Sequence, residues 1–181
     1  FKNIEANYRV NYTFSPKASI YANYWLSNNP PGLRQLQAFT DVSNPLRTVI
    51  GNPNLGPSNR HSFYAGYNGF DWQKRTGFYA NINASVTNDE VVSKTIIDPE
   101  TLKRTTTYEN VNGNYNYGVS GNYAKDIKLD TLRILKLRLR ARYNFSERIN
   151  FNNEVKYASQ VKRISPRVGV DFIWNKVMEI K

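Results

Sequence analysis

Cationic side chains recur at every second position of the stretch LKLRLRARYNF, which covers residues 135–145. They are Lys136, Arg138, Arg140 and Arg142. Guanidinium groups bind carboxylates and phosphates through paired hydrogen bonds, so a row of them on one face can hold an anion. Arg9 and Arg167 have the corresponding parity in two other stretches and would extend this face. The residues predicted to bind a ligand are therefore Arg9, Arg138, Arg140, Arg142 and Arg167. The alternative is that each arginine pairs with a carboxylate that faces it.

The remaining reactive side chains do not form a familiar catalytic or metal site. His61 is the only histidine and the chain has no cysteine, which excludes a two-histidine zinc site, a thiolate metal site and a disulfide. No Gly-x-Ser-x-Gly sequence supports a serine nucleophile beside His61. Residues 88–90, Asn-Asp-Glu, lack the ligand spacing of a calcium loop. We therefore predict no catalytic residue, no metal, no cofactor and no enzymatic activity.

The basic residues belong to a pattern that predicts a two-faced β-strand. They alternate with Leu135, Leu137, Leu139, Ala141, Tyr143 and Phe145. A pleated strand sends the two parities to opposite faces. A tilted strand of about 9 to 11 such residues crosses a bilayer, with its apolar side chains toward lipid and its polar ones toward water. A strand that packs its apolar parity on the core of a soluble antiparallel sheet shows the same alternation.

Similar alternation along the chain predicts about eight strands. They cover residues 4–14, 19–26, 61–70, 77–87, 111–123 and 135–145, followed by a seventh strand that includes 164–174 and an eighth from Val177. Two shorter strands, 91–97 and 104–108, are expected to turn at residues 98–100. The pattern predicts an all-β chain folded as part of an antiparallel up-and-down transmembrane β-barrel.

The predicted connections alternate in length. Short turns are expected near residues 15–18, 71–76, 124–131 and 175–176, and long polar connections near 27–58, 88–110 and 146–162. An up-and-down membrane barrel has short turns at one rim and longer loops at the other. A soluble sandwich with Greek-key crossings has no such requirement.

Composition is consistent with a membrane barrel. The two alternatives are a basic protein that binds nucleic acid and a β-sandwich. The 181 residues have a net charge of +11, from 25 basic and 14 acidic side chains. The charge is spread along alternate strand positions rather than clustered, which argues against nucleic-acid binding. The low mean hydropathy of −0.63 is expected where polar and apolar residues alternate, and no apolar run is long enough for a membrane helix. A β-sandwich that binds carbohydrate through Tyr, Trp and Asn is the second candidate.

A proline- and glycine-rich segment gives the chain a family resemblance. Its pieces are residues 32–36 (GLRQL), 44–46 (NPL) and 51–57 (GNPNLGP), followed later by 111–115 (VNGNY) and 164–167 (ISPR). Together they resemble the barrel of TonB-dependent outer-membrane receptors, within the outer-membrane β-barrel branch. The segment also has a local interpretation, since Gly and Pro permit and stiffen tight turns. We predict a structural role for Gly51, Asn52, Pro53, Leu55 and Pro57.

The resemblance implies a function, a location and partners. Residues 1–181 would form part of one outer-membrane barrel domain of about 22 strands in the parent protein, in a Gram-negative outer membrane, with the plug and the remaining strands outside this chain. The parent would take up a nutrient or metal chelate with TonB-type energy coupling. Its implied partners are outer-membrane lipid, the plug domain, a TonB-type coupling protein and a surface lipoprotein, with no nucleic acid.

Overall fold

The computed structural model describes residues 5–38, 40–44, 46–175 and 177–180, with side chains described for all of these except 40–43 and 179–180. The strands are β1 (Ala6–Ser15), β2 (Ala18–Asn29), β3 (Thr40–Asn44), β4 (Arg47–Ile50), β5 (Ser58–Asp71), β6 (Thr76–Asn88), β7 (Glu90–Ile97), β8 (Arg104–Val111), β9 (Asn114–Lys128), β10 (Arg133–Asn152), β11 (Val155–Trp174) and β12 (Met178–Ile180). A single helical turn, α1 (Leu33–Leu36), lies between β2 and β3. Ile4, Pro45 and Lys176, which belong to predicted segments, lie outside the described residues.

The main sheet contains eight strands in the order β1-β2-β5-β6-β9-β10-β11-β12. Every neighbouring pair is antiparallel. No pairing joins β1 to β12 within the residues described, so the sheet is open at both edges. This arrangement confirms the prediction of an all-β, up-and-down partial barrel.

The register of the main sheet collects the apolar parity of seven strands on one face. One row across the sheet contains Val10, Ala22, Ala65, Ile82, Val119, Tyr143 and Ile164. No second sheet covers this row in the described structure, and Val10 and Ile164 are 62% and 76% exposed. The β-sandwich alternative is therefore wrong, because a sandwich buries its apolar parity between two sheets.

The apolar face has the dimensions of a membrane-spanning band. On β10 it runs from Leu135 to Phe145, and a segment of that length at about 3.3 Å per residue and a tilt of about 45° spans about 24 Å. Aromatic side chains fill most of the row at its loop end, namely Tyr8, Tyr24, Phe63, Tyr117 and Phe145. Such girdles mark membrane–water interfaces in barrels. None of the described helices is long and apolar enough to cross a bilayer.

Two connections form a second, four-stranded sheet at the loop end, which we call the outer sheet. Its order is β3-β4-β8-β7, with β4 and β8 parallel and the other pairs antiparallel. Residues 30–57 supply β3 and β4, and residues 89–113 supply β7 and β8. The predicted strand extensions 91–97 and 104–108 are thus confirmed, together with the turn between them.

The predicted long connection at residues 146–162 is wrong. Strands β10 and β11 run for 20 residues each and meet at a two-residue turn, Asn153 and Glu154, where Asn153 has a positive φ of 52°. Beyond Phe145 the hairpin leaves the apolar band, and polar residues such as Glu147 and Gln160 then occupy the apolar parity. The apolar face shared by the two strands therefore ends there although the strands continue. The predicted turn 124–131 is likewise displaced, because β9 extends to Lys128.

Candidate functional site

The five predicted arginines share the face opposite the apolar band. Arg138, Arg140 and Arg142 lie on β10, and Arg167 lies on β11 directly opposite Arg140. Arg9 is on β1, which β2, β5, β6 and β9 separate from β10. The structure therefore brings four of the five arginines together on two adjacent strands and leaves Arg9 apart.

These arginines differ in their partners. Arg138 forms an ion pair with Asp171, and Lys136 faces Asp126 and Asp171 across the ladder. Arg9 Nε donates a hydrogen bond to Asn23 Oδ1 at 3.0 Å. Lys136 and Arg138, the basic residues nearest the turn end, thus have carboxylates opposite or bound to them, whereas the partner of Arg9 is an amide.

The arginines in the middle of the basic face have fewer polar partners. Arg140 Nε donates to the amide oxygen of Asn122, while Arg142 and Arg167 make no hydrogen bond or ion pair with any described residue. Like charges directly opposite each other, as in the pair Arg140 and Arg167, destabilise a sheet unless an anion screens them. This part of the wall is therefore a candidate anion site.

Arg163 is among the basic residues of this face that the sequence interpretation did not identify. Arg163 lies opposite Asn144 on the same face as Arg142 and Arg167. Residues 146–162 were wrongly predicted to be a loop that ends one residue before Arg163. Arg163 was therefore not assigned to either face of a strand. The signal was present in the spacing of four between Arg163 and Arg167, which places both on one face of a strand.

A tyrosine cluster organises the neighbouring part of the same face. The hydroxyl of Tyr21 lies 3.2 Å from that of Tyr64 and 2.7 Å from that of Tyr79, and Tyr64 and Tyr79 are 2.6 Å apart. The ring of Tyr21 crosses its direct partner Gly66, where an added Cβ would be 2.3 Å from the Tyr21 hydroxyl. Glycine at this position lets three strands share one hydrogen-bonded group.

Two cavities open on this polar face toward the loop end. One, of about 250 Å³, is lined by Tyr64, Asn81, Asn83, Val119, Ser120, Arg142 and Asn144. The other, of about 360 Å³, is lined by Arg60, Thr87, Glu90, Asn114, Tyr115, Asn116, Ser146, Glu147 and Arg148. Their amide, hydroxyl and guanidinium groups make the wall a surface of hydrogen-bond donors with excess positive charge.

The proline- and glycine-rich segment, residues 51–57, follows β4 and contacts both α1 and the outer sheet. Its predicted structural residues are Gly51, Asn52, Pro53, Leu55 and Pro57. Gly51 is buried against backbone, since an added Cβ would lie 2.2 Å from the carbonyl oxygen of Gln37. Asn52 N donates to Gln35 O at 2.6 Å, and Asn52 Nδ2 donates to Tyr108 O at 3.0 Å. Leu55 is only 3% exposed, while Pro53 is exposed and Pro57 half-buried. These contacts support a structural role for the segment.

Asn110 is a second anchor of the outer sheet that the sequence interpretation did not identify. Its Oδ1 accepts from Gly56 N at 2.8 Å, and its Nδ2 donates to Gly56 O at 3.1 Å and to Asp89 O at 2.6 Å. One side chain thus satisfies backbone groups of two connections. An asparagine among many others gives no sequence signal for this role.

Two exposed carboxylates outside the membrane band have shifted acidities. Hydrogen bonding from Arg133, with the backbone amides of Leu132 and Arg133, holds the pKa of Asp130 below its usual range. The Thr101 hydroxyl and the amides of Glu100 and Thr101 lower the pKa of Asp98 in the β7–β8 turn. In both cases hydrogen bonds to the charged form favour ionisation. Among the described residues, no group of His, Asp and Glu is placed to hold a metal ion.

Comparisons with known proteins agree with this architecture. The model of the outer membrane protein beta-barrel family matches residues 7–172. Among solved structures, the siderophore receptor PirA from Pseudomonas aeruginosa is similar over 95% of this chain and 36% of its own, with 12% identity and a TM-score of 0.57. The chain thus spans about a third of that receptor's length. No curated protein matches. With its lipid-facing band and polar wall, the chain belongs to the outer membrane protein β-barrel family and lies in the Gram-negative outer membrane.

Proposed function

We propose that the chain is a wall segment of an outer-membrane receptor that takes up a nutrient or metal chelate, with TonB-type energy coupling in the full-length parent. The observation that carries the proposal is the pairing of a membrane band with an opposite face rich in Arg, Asn, Ser and Tyr. Similarity to a siderophore receptor barrel supports a transport role over an enzymatic one.

In this proposal the wall contacts the cargo through its basic face. Arg140, Arg142 and Arg167 have guanidinium donors available for carboxylate or phosphate groups, whereas Arg138 is already paired with Asp171 and Arg9 with Asn23. An anionic cargo would relieve the repulsion between Arg140 and Arg167. The plug domain would be another part of the parent. The coupling protein and a surface lipoprotein would bind parts of the parent outside this chain.

The proposal predicts energy-dependent uptake by the full-length parent. Cells that express it are given radiolabelled ferric chelates of graded net charge, with and without a protonophore that collapses the proton gradient. We expect accumulation of anionic chelates, loss of accumulation with the protonophore, and at least tenfold weaker uptake by the R140Q/R142Q double variant. Asn11→Gln, at an uncharged position of the same face on β1 and outside the cavities described above, is the matched control. Uptake unaffected by the protonophore would remove the coupling step from the proposal.

A further inference from the structure

A trough crosses the polar face of the wall near its turn end. It lies between two rows of directly paired residues on β5, β6, β9, β10 and β11. The row nearer the loop end is Asn68, Tyr79, Asn122, Arg140 and Arg167, and the row nearer the turns is Phe70, Gly77, Ala124, Arg138 and Gly169. The trough has a volume of about 520 Å³, within the range of small-molecule sites.

Small residues create this trough. In the row nearer the turns, β6, β9 and β11 carry Gly77, Ala124 and Gly169. These small residues leave the backbone of the three strands largely uncovered. At Gly169 an added Cβ would meet only Arg138, at 3.7 Å, which leaves space for a larger side chain. At Gly77 an added Cβ would come within 3.1 Å of the Phe70 ring, so that ring lies beside the floor.

One end of the trough is cationic. Arg140 and Arg167 face each other there, and no described carboxylate pairs with either of them. The adjacent Arg138 is held by Asp171, which removes it as a competitor for a ligand and leaves its position fixed. Two convergent guanidinium groups can bind one carboxylate or phosphate with several hydrogen bonds.

The other end of the trough is aromatic. Phe70 packs edge-on against Trp72, with ring centroids 4.3 Å apart, and Tyr79 is fixed by its hydroxyl contacts with Tyr21 and Tyr64. Strands β6 and β10 are two strand spacings apart, so Tyr79 and Arg140 are separated by about 10 Å. A single aromatic ring with one acidic substituent fits that separation.

We propose that the trough binds a small organic anion, whose carboxylate or phosphate lies on Arg140 and Arg167 and whose apolar ring lies over Gly77 against Phe70 and Tyr79. The site shares Arg140 and Arg167 with the cargo contact proposed above, but the argument for it depends on the geometry of the wall and not on transport. Its position near the turn rim would make it a site on the exit side of the barrel, separate from the cavities at the loop end.

The test is equilibrium binding to the purified full-length parent in detergent, measured by ligand-observed NMR titration. The probes are benzoate, the uncharged isostere benzamide, and inorganic phosphate, which has the charge but no ring. We expect benzoate to bind at least tenfold more tightly than either of the other probes, because only benzoate uses both ends of the trough.

Matched variants distinguish the trough from the general positive field. The R140Q/R167Q double variant and Gly169→Leu, which fills the floor without removing charge, should each weaken benzoate binding at least tenfold. The control for the loss of charge is Arg163→Gln, on the same face of β11 but outside the trough. The control for the added bulk is Gly121→Leu on the lipid face, where an added Cβ has no neighbour within 4 Å. Both controls should stay within twofold of the parent.

Three results would overturn the site. Benzoate and phosphate could bind equally well and be equally insensitive to Gly169→Leu, which would indicate a diffuse anion surface. Arg163→Gln could weaken benzoate as much as the double variant does. Benzoate could also fail to bind while the double variant changes protection of the wall from hydrogen exchange, which would show that acidic groups of the parent's own plug already occupy the arginines. Each result leaves the uptake assay interpretable, since none of them measures transport.

Discussion

The membrane wall and the outer sheet are stabilised in different ways. Among the described residues the buried hydrophobic side chains are Leu55, Val111 and Phe145, and two of these, Leu55 at 3% and Val111 at 2% exposure, belong to the outer region. The wall instead leaves large apolar side chains exposed along its whole band. Lipid replaces a protein core for the wall, whereas the outer sheet needs local packing and amide hydrogen bonds. Substitutions should therefore affect the two regions separately.

The largest expected effect comes from a charge in the middle of the lipid-facing band. Ile82→Arg should destabilise the folded parent by about 2–4 kcal/mol, the cost of an arginine on the lipid face at the bilayer midplane. The measurement is urea unfolding in lipid vesicles, followed by the heat-dependent shift in gel mobility that folded barrels show.

The matched control is the neighbouring position on the opposite face. Asn81→Arg places the same side chain on the polar wall, where it lines a cavity, and should cost less than 1 kcal/mol. Equal destabilisation by the two variants would contradict the assignment of the faces. The outer sheet should keep its resistance to protease in whichever fraction of Ile82→Arg inserts.

The second prediction targets the outer region alone. Gly51→Ala forces a Cβ to within 2.2 Å of the Gln37 carbonyl and 2.8 Å of the Arg34 carbonyl, and backbone atoms cannot turn aside as side chains do. We expect a local loss of about 2–3 kcal/mol, in the range of overpacked sites. Protease added to intact cells should cut within residues 30–57 much faster than in the parent protein, while the wall still unfolds at the same urea concentration. Gly121→Ala, which meets nothing within 4 Å, is the control and should change neither readout.

A smaller effect is expected at the amide that joins the two outer connections. Asn110→Ala removes three hydrogen bonds to the backbone of Gly56 and Asp89, each worth about 1 kcal/mol, with water replacing part of that loss. The backbone amide of Gly56, which donates to Asn110 Oδ1, should exchange hydrogen about tenfold faster, as mass spectrometry of exchanged peptides can measure. The amide of Asp89 donates to Asn112 Oδ1 instead and should change less. Asn54→Ala, at an exposed position in the same segment, should leave the exchange unchanged.

The sequence predicted the wall well because the bilayer imposes a strict pattern. Period-two alternation over residues 135–145 specified which parity meets lipid, and the same reasoning placed Arg138 and Arg140 on the opposite face. The alternation also excludes a register slip of one residue, because such a slip would invert both faces. No comparable constraint acts beyond the membrane boundary.

The outer region shows where this reasoning stopped working. Residues 146–152 and 155–162 are strand although no face is apolar on both strands: the face with Ile149 and Phe151 on β10 carries Lys156 on β11. Contacts made by single residues were equally invisible, as with Asn110 or the docking of Asn153 Oδ1, which accepts a hydrogen bond from Ile97 N at 3.1 Å. The parallel pairing of β4 with β8 joins residues that are more than fifty positions apart in the sequence, such as Arg47 and Arg104. Such long-range contacts depend on the finished wall to bring their partners together.

The smallest expected effects compare one carboxylate from each end of the molecule. Asp130 and Asp98 both have a lowered pKa, so each contributes stability above the usual pKa of about 3.9 that is lost as pH falls through the lower folded value. Arg133 is the main cause at Asp130, whereas neutral donors led by the Thr101 hydroxyl act at Asp98. Salt should therefore raise the pKa of Asp130 more than that of Asp98, because salt screens charge pairs but hardly affects neutral hydrogen bonds.

Carboxyl carbon NMR shifts of the full-length parent, titrated from pH 6 to pH 2 in low and high salt, measure both groups in one sample. The variants Asp130→Asn and Asp98→Asn assign the two signals. In Arg133→Gln the Asp130 signal should titrate close to an ordinary aspartate and lose its salt dependence, while Asp98 is unchanged. If Asp98 moved with salt as much as Asp130, the nearby Lys103 rather than the Thr101 hydroxyl would control it. The turn rim would then be no more dependent on charge pairing than the outer sheet, and the contrast between the two ends would rest on packing alone.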